Sequence, residues 1–126
     1  MRAPDRRQRL GAFGEGHARR FLEARGYQFL DANWRKRGGE IDLVFRDGPN
    51  LVFVEVKTRH GERTERAEES LSSAQAERML ETAELYVMEH PEVQHLIWRC
   101  DIVAVTLDAS HRVISVHHYA NAVVTG

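Results

Sequence analysis

The chain has 126 residues, which is enough for one domain with a single hydrophobic core. It carries 18 Lys and Arg residues against 19 Asp and Glu residues, so the formal net charge is −1. Such a balance excludes the strongly basic composition that is typical of a dedicated nucleic-acid binder. No apolar run is long enough to span a bilayer, and no apolar signal region follows the Arg-rich N-terminus. The single cysteine, Cys100, excludes a disulfide framework and predicts a buried reduced thiol, so a cytoplasmic location is expected.

A helix is the first element that the sequence predicts. Apolar residues recur at helical spacing over residues 10–22, and Gly26 is a natural stop signal for the helix. Residues 1–8 precede this pattern and are expected to form a disordered basic tail. Glu15 lies at the edge of the apolar stripe, from which its side chain can reach along the surface that the helix covers. The alternative for Glu15 is an ordinary solvated carboxylate.

Glycine is unusual inside a helix, because each one destabilises the helix by about 1 kcal/mol relative to Ala. The predicted helix nevertheless contains three glycines: Gly11, Gly14 and Gly16. We therefore expect another backbone or a substrate to approach the helix closely at these positions.

A first strand is predicted over residues 27–34, and a basic segment follows it. Residues 1–37 hold ten Lys and Arg residues against four Asp and Glu residues, while the rest of the chain is acidic. A cluster of this kind can bind phosphate. The residues that we assign to nucleic-acid binding are Arg19, Arg35, Lys36 and Arg37. The alternative is a solvated helix face with a disordered tail, and Trp34 beside the cluster either stacks on a base or is a buried aromatic.

A hairpin is predicted next, with strands at residues 39–45 and 51–57 and an Asp-Gly-Pro-Asn turn between them. A tight turn at the centre of that sequence places Asp42 directly opposite Glu55 on one face. Like charges there have Cβ atoms roughly 4.5–5.5 Å apart and destabilise the pair. The two carboxylates therefore need a proton, a cation or a different register, because a slip of one residue would move them to opposite faces.

A divalent cation is the interpretation that we favour for this pair, with Mg²⁺ or Mn²⁺ as the ion. Mg²⁺ takes oxygen ligands, usually one or two protein carboxylates together with waters and substrate phosphate oxygens. Lys57 lies on the same face as Glu55 and would direct its ammonium at the attacking water or the scissile phosphate. The alternative is a solvated hairpin face on which Glu40 and Lys57 form an ion pair.

The rest of the chain completes an α/β order. Residues 60–70 are charged and predict a mobile loop, and a Ser-x-x-Gln capping box at Ser72 opens a helix that runs to residue 89. Apolar strands are predicted at residues 98–107 and 113–118. A helix, three strands, a second helix and further strands indicate a mixed sheet. The histidines are scattered, so no zinc spacing is present.

Several segments of the chain resemble the YraN-like family of bacterial proteins. They are residues 14–22, 26–27, 33–35, 39–44, 53–59 and 99–105. Asp42, thirteen positions before the first residue of Glu55-Val56-Lys57, also resembles the PD-(D/E)xK signature of restriction-endonuclease-like nucleases. The resemblance implies one restriction-endonuclease-like domain over residues 1–126, with an αβββαβ core and a mixed central sheet flanked by helices. Archaeal Holliday-junction resolvases are similar in their arrangement of a helix Glu, an Asp and a Glu-x-Lys.

The resemblance also implies roles for individual residues. Glu15, Asp42, Glu55 and Lys57 match the catalytic positions, with the three carboxylates as metal ligands. Two positions depart from the pattern. The nuclease signature has Pro immediately before its Asp, whereas Ile41 precedes Asp42 here, as is usual for the YraN-like family. Gln75 stands where many members of that family carry Lys.

Two hypotheses of different classes follow. The first is a metal-dependent endonuclease that hydrolyses phosphodiester bonds in DNA, including branched or processed DNA. The second is a non-catalytic module that binds nucleic acid or protein and retains the nuclease fold. The intact set of catalytic positions favours the first hypothesis. The near-neutral charge and the small size favour the second, or a dependence on a protein partner or a homodimer, and no membrane partner is expected.

Overall fold

The computed structural model describes residues 5–61 and 71–124 of the chain. Its helices and strands are, in chain order, α1 (Arg6–Ala24), β1 (Gln28–Lys36), β2 (Gly39–Asp47), β3 (Asn50–His60), α2 (Ser73–Glu89), β4 (Ile97–Leu107) and β5 (Val113–Tyr119), with a 3₁₀ turn (Pro91–Val93) before β4. Residues 1–4 of the predicted tail and residues 62–70 of the predicted loop lie outside the described residues. Helix α1 begins earlier than expected, inside the segment that we predicted as a tail.

The five strands form one mixed sheet in the order β1-β2-β3-β4-β5. Strands β3 and β4 are parallel, and the other neighbouring pairs are antiparallel. A parallel pair needs a crossover connection, and α2 supplies it between β3 and β4. The predicted α/β class with a restriction-endonuclease-like αβββαβ core is therefore confirmed.

Local signals in the sequence account for the ends of both helices. The Ser72 hydroxyl accepts a hydrogen bond from the Gln75 N–H at 3.2 Å, and the Gln75 side chain accepts one from the Ser72 N–H at 3.0 Å, which confirms the predicted capping box. Asp5 and Gln8 form the same arrangement at the start of α1. Gly26 adopts a φ of 90° just beyond the end of α1, as expected for a left-handed stop position.

Each face of the sheet is covered by one helix, and each side has its own hydrophobic cluster. The α1 side is built from Ala18, Leu22, Leu43, Phe45, Val52, Val54, Val103, Val105 and Leu107. The α2 side includes Ile41, Val44, Leu51, Phe53, Met79, Ala83, Tyr86 and Ile102. Each large side chain buried in this way contributes about 1.5–3 kcal/mol to stability. The sheet is therefore apolar on both faces, and a carboxylate within it needs a specific explanation.

Three side chains test expectations from the sequence. Phe13, which helical spacing placed on the buried side of α1, is 42% exposed. Trp34 is half-buried and packs against the Tyr86 ring with centroids 5.1 Å apart. Cys100 is a buried free thiol as predicted, and burial raises its pKa to about 12. None of the helices in the described part of the chain is long and apolar enough to cross a membrane.

Candidate functional site

The candidate site lies where β2 and β3 separate. The predicted register is confirmed at Val44 and Phe53, and the paired residues end with Leu43 and Val54. Beyond that point the Val56 N–H donates a hydrogen bond to Asp42 Oδ2 at 2.8 Å. The Asp42 carboxylate thus occupies the position of a strand partner. Strands β2 and β3 separate beyond Leu43 and Val54, and we call the gap between them the fork.

Asp42 is held inside this fork in an unfavourable electrostatic environment. Burial and then the neighbouring Glu55 carboxylate raise the pKa of Asp42 to about 8, and Glu15 and Glu40 act in the same direction. The hydrogen bond from the Val56 N–H opposes these effects without cancelling them. Asp42 is therefore a carboxyl group that favours a proton or a nearby positive charge at neutral pH.

Glu55 shares this environment. Burial raises its pKa as well, while the Lys57 ammonium and a hydrogen bond with Asp42 act to lower it. A hydrogen bond between two carboxyl groups requires a proton on one of them. The two side chains that the sequence placed opposite each other thus do meet, although they meet past the end of the strand pairing. Lys57 lies beside them, as predicted.

Asn33 is a site residue that the sequence reasoning missed. Its Nδ2 donates to Glu15 Oε1 at 2.9 Å and to Glu40 Oε1 at 3.2 Å. Asn33 has a φ of 52°, a left-handed conformation that Asn tolerates better than most residues. Two signals for it are present in the sequence: an Asn within a predicted strand, where Asn is depleted, and its place in segment 33–35, which resembles the YraN-like family. Asn33 fixes Glu15 at the edge of the fork.

Glu40 does not pair with Lys57, as the alternative interpretation of the hairpin required. It lies across β1, where Arg35 Nε donates to Glu40 Oε2 at 3.2 Å, and the Asn33 amide holds its other oxygen. The reason is the separation of β2 from β3, which carries Glu40 towards β1 and away from β3. The alternative of a Glu40–Lys57 ion pair on a solvated hairpin is therefore wrong.

Glu15 reaches the fork because α1 packs very closely on β3. A Cβ added at Gly14 would collide with the Thr58 side chain, so only glycine allows this approach. The expectation of a close approach is confirmed at Gly14. It fails at Gly11, where a Cβ would meet nothing within 4 Å, and at Gly16, where only the flexible Arg20 side chain is near.

A second glycine contact sets α2 on the other side of the fork. A Cβ at Gly39 would collide with the Thr82 side chain of α2. The two helices therefore flank the fork from opposite faces of the sheet. Each leaves a cleft, one of about 510 Å³ beside α1 and one of about 220 Å³ beside α2. Glu40 lines both, with Glu15, Asn33 and Arg35 in the α1 cleft and Glu55, Gln75 and Arg78 in the α2 cleft.

Two of the four residues assigned to nucleic-acid binding, Arg35 and Lys36, are held in ion pairs. Arg35 lines the α1 cleft, and its pair with Glu40 is largely exposed. Lys36 Nζ lies 2.9 Å from Glu89 Oε2 at the end of α2. Exposed pairs of this kind contribute little to stability, so both cations are available to a phosphate at low cost.

The other two assigned residues differ from each other. Arg37 is exposed in the turn between β1 and β2, with a φ of 49°. The guanidinium carbon of Arg19 lies 3.6 Å from the centre of the Phe29 ring, and Arg19 Nε lies 3.4 Å from Glu23 Oε1. Arg19 lines neither cleft. The structure therefore brings Arg35 to the fork, places Lys36 and Arg37 in a neighbouring cleft on the α2 side, and leaves Arg19 on the surface of α1.

A second buried carboxylate, Asp101 in β4, has the opposite character. It accepts hydrogen bonds from Arg99 Nε at 3.1 Å, from the Asn121 N–H at 2.7 Å and lies 2.7 Å from His118 Nε2. Burial alone would raise the pKa of Asp101, but these donors outweigh it and the pKa is lowered. Asp101 is thus a satisfied structural charge on the α1 side of the sheet.

The donor atoms of the described residues set a limit on metal binding. Across residues 5–61 and 71–124, no group of three or more His, Cys, Asp or Glu side chains converges to hold a metal ion. Asp42 and Glu55 form a pair, whereas the Glu15 carboxylate accepts a hydrogen bond from the Asn33 amide. His60 Nε2 and His111 Nδ1 lie 2.8 Å apart, so these two histidines are neighbours and not scattered as expected.

Sequence comparisons agree with the motifs that the fold brings together. A UPF0102 protein of Roseiflexus castenholzii is 41% identical over 118 residues, which cover 94% of this chain and 95% of the relative. A UPF0102 protein of Frankia alni is 47% identical over 106 residues, covering 84% and 85% of the two chains. Residues 14–105, which include all four predicted catalytic positions, match the profile of a single family. The chain belongs to the uncharacterised protein family UPF0102, the YraN family that its motifs resemble.

Proposed function

We propose that this protein is a metal-dependent endonuclease that hydrolyses phosphodiester bonds in DNA, with Mg²⁺ or Mn²⁺ as its ion. The observation that carries the proposal is the pair of Asp42 and Glu55, two carboxyl groups that share a hydrogen bond in a largely apolar sheet. Natural proteins rarely keep such a pair without a use, because strongly perturbed carboxyl groups in a cleft cluster at functional sites.

The donor set fits a hard divalent cation. Mg²⁺ is commonly bound through one or two carboxylates and completes its coordination with waters and substrate oxygens, so two protein ligands are sufficient. A cation between Asp42 and Glu55 would offset the burial that raises both pKa values and the repulsion by Glu55 that adds to it at Asp42. The bound ion would act as a Lewis acid that neutralises charge on the phosphate and acidifies an attacking water.

The side chains around the pair have separate roles in this proposal. The Val56 N–H fixes the orientation of Asp42. Lys57 directs a positive charge into the fork, where it stabilises the charge that develops on the phosphate. Glu15, held by Asn33 at the edge of the fork, is placed to accept a proton from water or to assist a second ion.

A non-catalytic nucleic-acid-binding module is the second candidate. The observation that favours it is that no third ligand converges with the pair within the described ranges. A proton shared between Asp42 and Glu55 would then replace the cation.

A calorimetric titration with Mn²⁺ distinguishes the two candidates. We expect the wild type to bind Mn²⁺ and the Asp42→Asn variant to lose most of that binding, because Asn keeps the hydrogen bond from Val56 but lacks the charge. Asp47→Asn, five positions along β2, is the matched control and should bind as the wild type does. Equal binding by Asp42→Asn would contradict the metal site.

Cleavage assays then test the reaction. Supercoiled, branched and single-stranded DNA should be incubated with each variant and Mn²⁺. We expect cleavage by the wild type and by Asp47→Asn and a loss of at least a hundred-fold, on the order of 3 kcal/mol in activation free energy, for Asp42→Asn. Metal binding without cleavage of any of the three would contradict the endonuclease activity.

A further inference from the structure

Arg78 on α2 is a cation of the fork that the sequence motifs did not indicate. It is exposed on the helix surface and lines the α2 cleft together with Glu40 and Glu55. Gln75, one turn earlier, lines the same cleft, but its side-chain oxygen accepts the hydrogen bond from the Ser72 N–H that caps α2. Gln75 is therefore committed to the helix end, and Arg78 is the positively charged group that α2 presents to the cleft.

The guanidinium of Arg78 is not used in an ion pair with any residue of the described ranges. This sets it apart from Arg35 and Lys36, which pair with Glu40 and Glu89. A guanidinium beside two carboxylates and without an ion-pair partner among the described residues is suited to an anion that approaches those carboxylates. Its planar donors match two oxygens of a phosphate at once.

Arg78 also lines a second, neighbouring cleft of about 270 Å³. Lys36 and Arg37 contribute two further cations to this cleft, and Glu81 and Glu84 contribute two carboxylates. Arg78 thus lies at the boundary between the α2 cleft, which contains Glu55, and a cleft that contains two basic residues. A chain of phosphates that left the carboxylate pair on this side would meet Arg78 first and Lys36 and Arg37 next.

We propose that Arg78 binds the phosphate next to the scissile phosphodiester. The inference rests on the proposed function and deepens it, because it assigns the substrate class: a polynucleotide whose backbone continues past the cleaved bond across the α2 side. An isolated phosphodiester, which has no neighbouring phosphate, would not use this contact.

The test is the salt dependence of DNA binding, which reports the number of phosphates that the protein neutralises. Binding of a fluorescently labelled DNA oligonucleotide is measured in Ca²⁺ over a series of NaCl concentrations. The slope of log K against log salt is negative, and Arg78→Ala should make it shallower by about 0.7–0.9, the value for one lost phosphate contact. Arg78→Lys keeps the charge and should keep the slope. Ala is a good helix former at this exposed position, so the variant is expected to fold, which melting curves verify.

Arg25→Ala is the matched control, since Arg25 is an exposed arginine at the C-cap of α1, ten positions beyond Glu15. Its slope should equal that of the wild type. A wild type that binds DNA together with an unchanged slope for Arg78→Ala would overturn this inference and leave the proposed function intact. A Lys variant that behaves like the Ala variant would also overturn it. A wild type that fails to bind DNA would contradict the proposed function, and this inference with it.

Discussion

Two aspartates in apolar strands have opposite roles, and their hydrogen-bond donors explain why. Asp101 is surrounded by Arg99, His118 and the Asn121 N–H, so its charged form is stabilised and its pKa is lowered. Asp42 has one backbone donor and three carboxylates in its surroundings, so its pKa is raised to about 8. A charge with several donors stabilises the fold, whereas a charge in the environment of Asp42 destabilises it, and a bound cation would offset that effect.

Asp42→Asn should therefore stabilise the metal-free protein at neutral pH. The ordinary pKa of 3.8 applies in the unfolded chain, so between pH 4 and pH 8 unfolding releases a proton from Asp42 and stability falls as pH rises. Asn cannot titrate, so the variant should gain on the order of 2 kcal/mol over the wild type at pH 8 and little at pH 4. Urea denaturation in a chelator at the two pH values measures the difference.

Asp47→Asn provides the comparison for this experiment. Asp47 ends β2 at the hairpin turn, away from the fork, so its substitution should leave the pH dependence of stability as in the wild type. An Asp42→Asn protein that is less stable than the wild type at both pH values would show that Asp42 is a structural residue and not a strained one.

At the scale of elements, both helices owe their positions beside the fork to a missing side chain. Gly14 lets α1 pack on Thr58 of β3, and Gly39 lets Thr82 of α2 pack on β2. The residue that follows each glycine is a fork carboxylate, Glu15 or Glu40. Close packing of the helices is thus directly coupled to the placement of charge in the clefts.

Gly14→Ala should destabilise the protein by about 1–3 kcal/mol, because the new Cβ collides with Thr58 and the helix must move. The loss is expected even though Ala is the better helix former by about 1 kcal/mol. Displacement of Glu15 should weaken Mn²⁺ binding in the same variant. Thermal unfolding and calorimetry measure the two effects.

Gly11→Ala is the control on the same helix, since a Cβ there meets nothing within 4 Å. It should be neutral or stabilising by up to about 1 kcal/mol and should leave Mn²⁺ binding unchanged. Equal stability of the two alanine variants would show that the position of α1 on β3 does not depend on a glycine at position 14. Partial recovery of Gly14→Ala by Thr58→Ala would identify the contact directly.

At the scale of the whole molecule, the fork joins two clusters that hold the sheet between its helices. Ion binding there should stabilise the entire fold, since the unfolded chain does not keep Asp42 and Glu55 together. At a hundred-fold excess of Mn²⁺ over its dissociation constant, the gain is about 2.7 kcal/mol. The melting temperature of the wild type should rise with Mn²⁺ concentration, and that of Asp42→Asn should not. An equal rise in both proteins would indicate binding elsewhere.

Local patterns in the sequence are sufficient for much of this fold. The capping box at Ser72, the turn between β2 and β3 and the register at Val44 and Phe53 depend on residues that are near one another along the chain. Strand alternation also brought Asp42 and Glu55 to the same place, because their separation along the hairpin is short. These features follow from backbone geometry and could be predicted without the rest of the molecule.

The fork itself depends on contacts between distant parts of the chain. Strand alternation cannot indicate that pairing stops at Leu43 and Val54, or that α1 packs on Thr58 and α2 on Gly39 beside the separating strands. Packing of α1 on β3 brings Glu15 to Asn33, and packing of α2 brings Arg78 to the cleft, whereas Glu40 and Arg35 are direct neighbours in the β1–β2 pairing. The sequence alone therefore identified which carboxylates could form a site, since that follows from short-range geometry. The folded chain decided that Glu15 meets Asn33 and that Arg78 lies beside Glu55, because these residues come together only when the helices lie against the sheet.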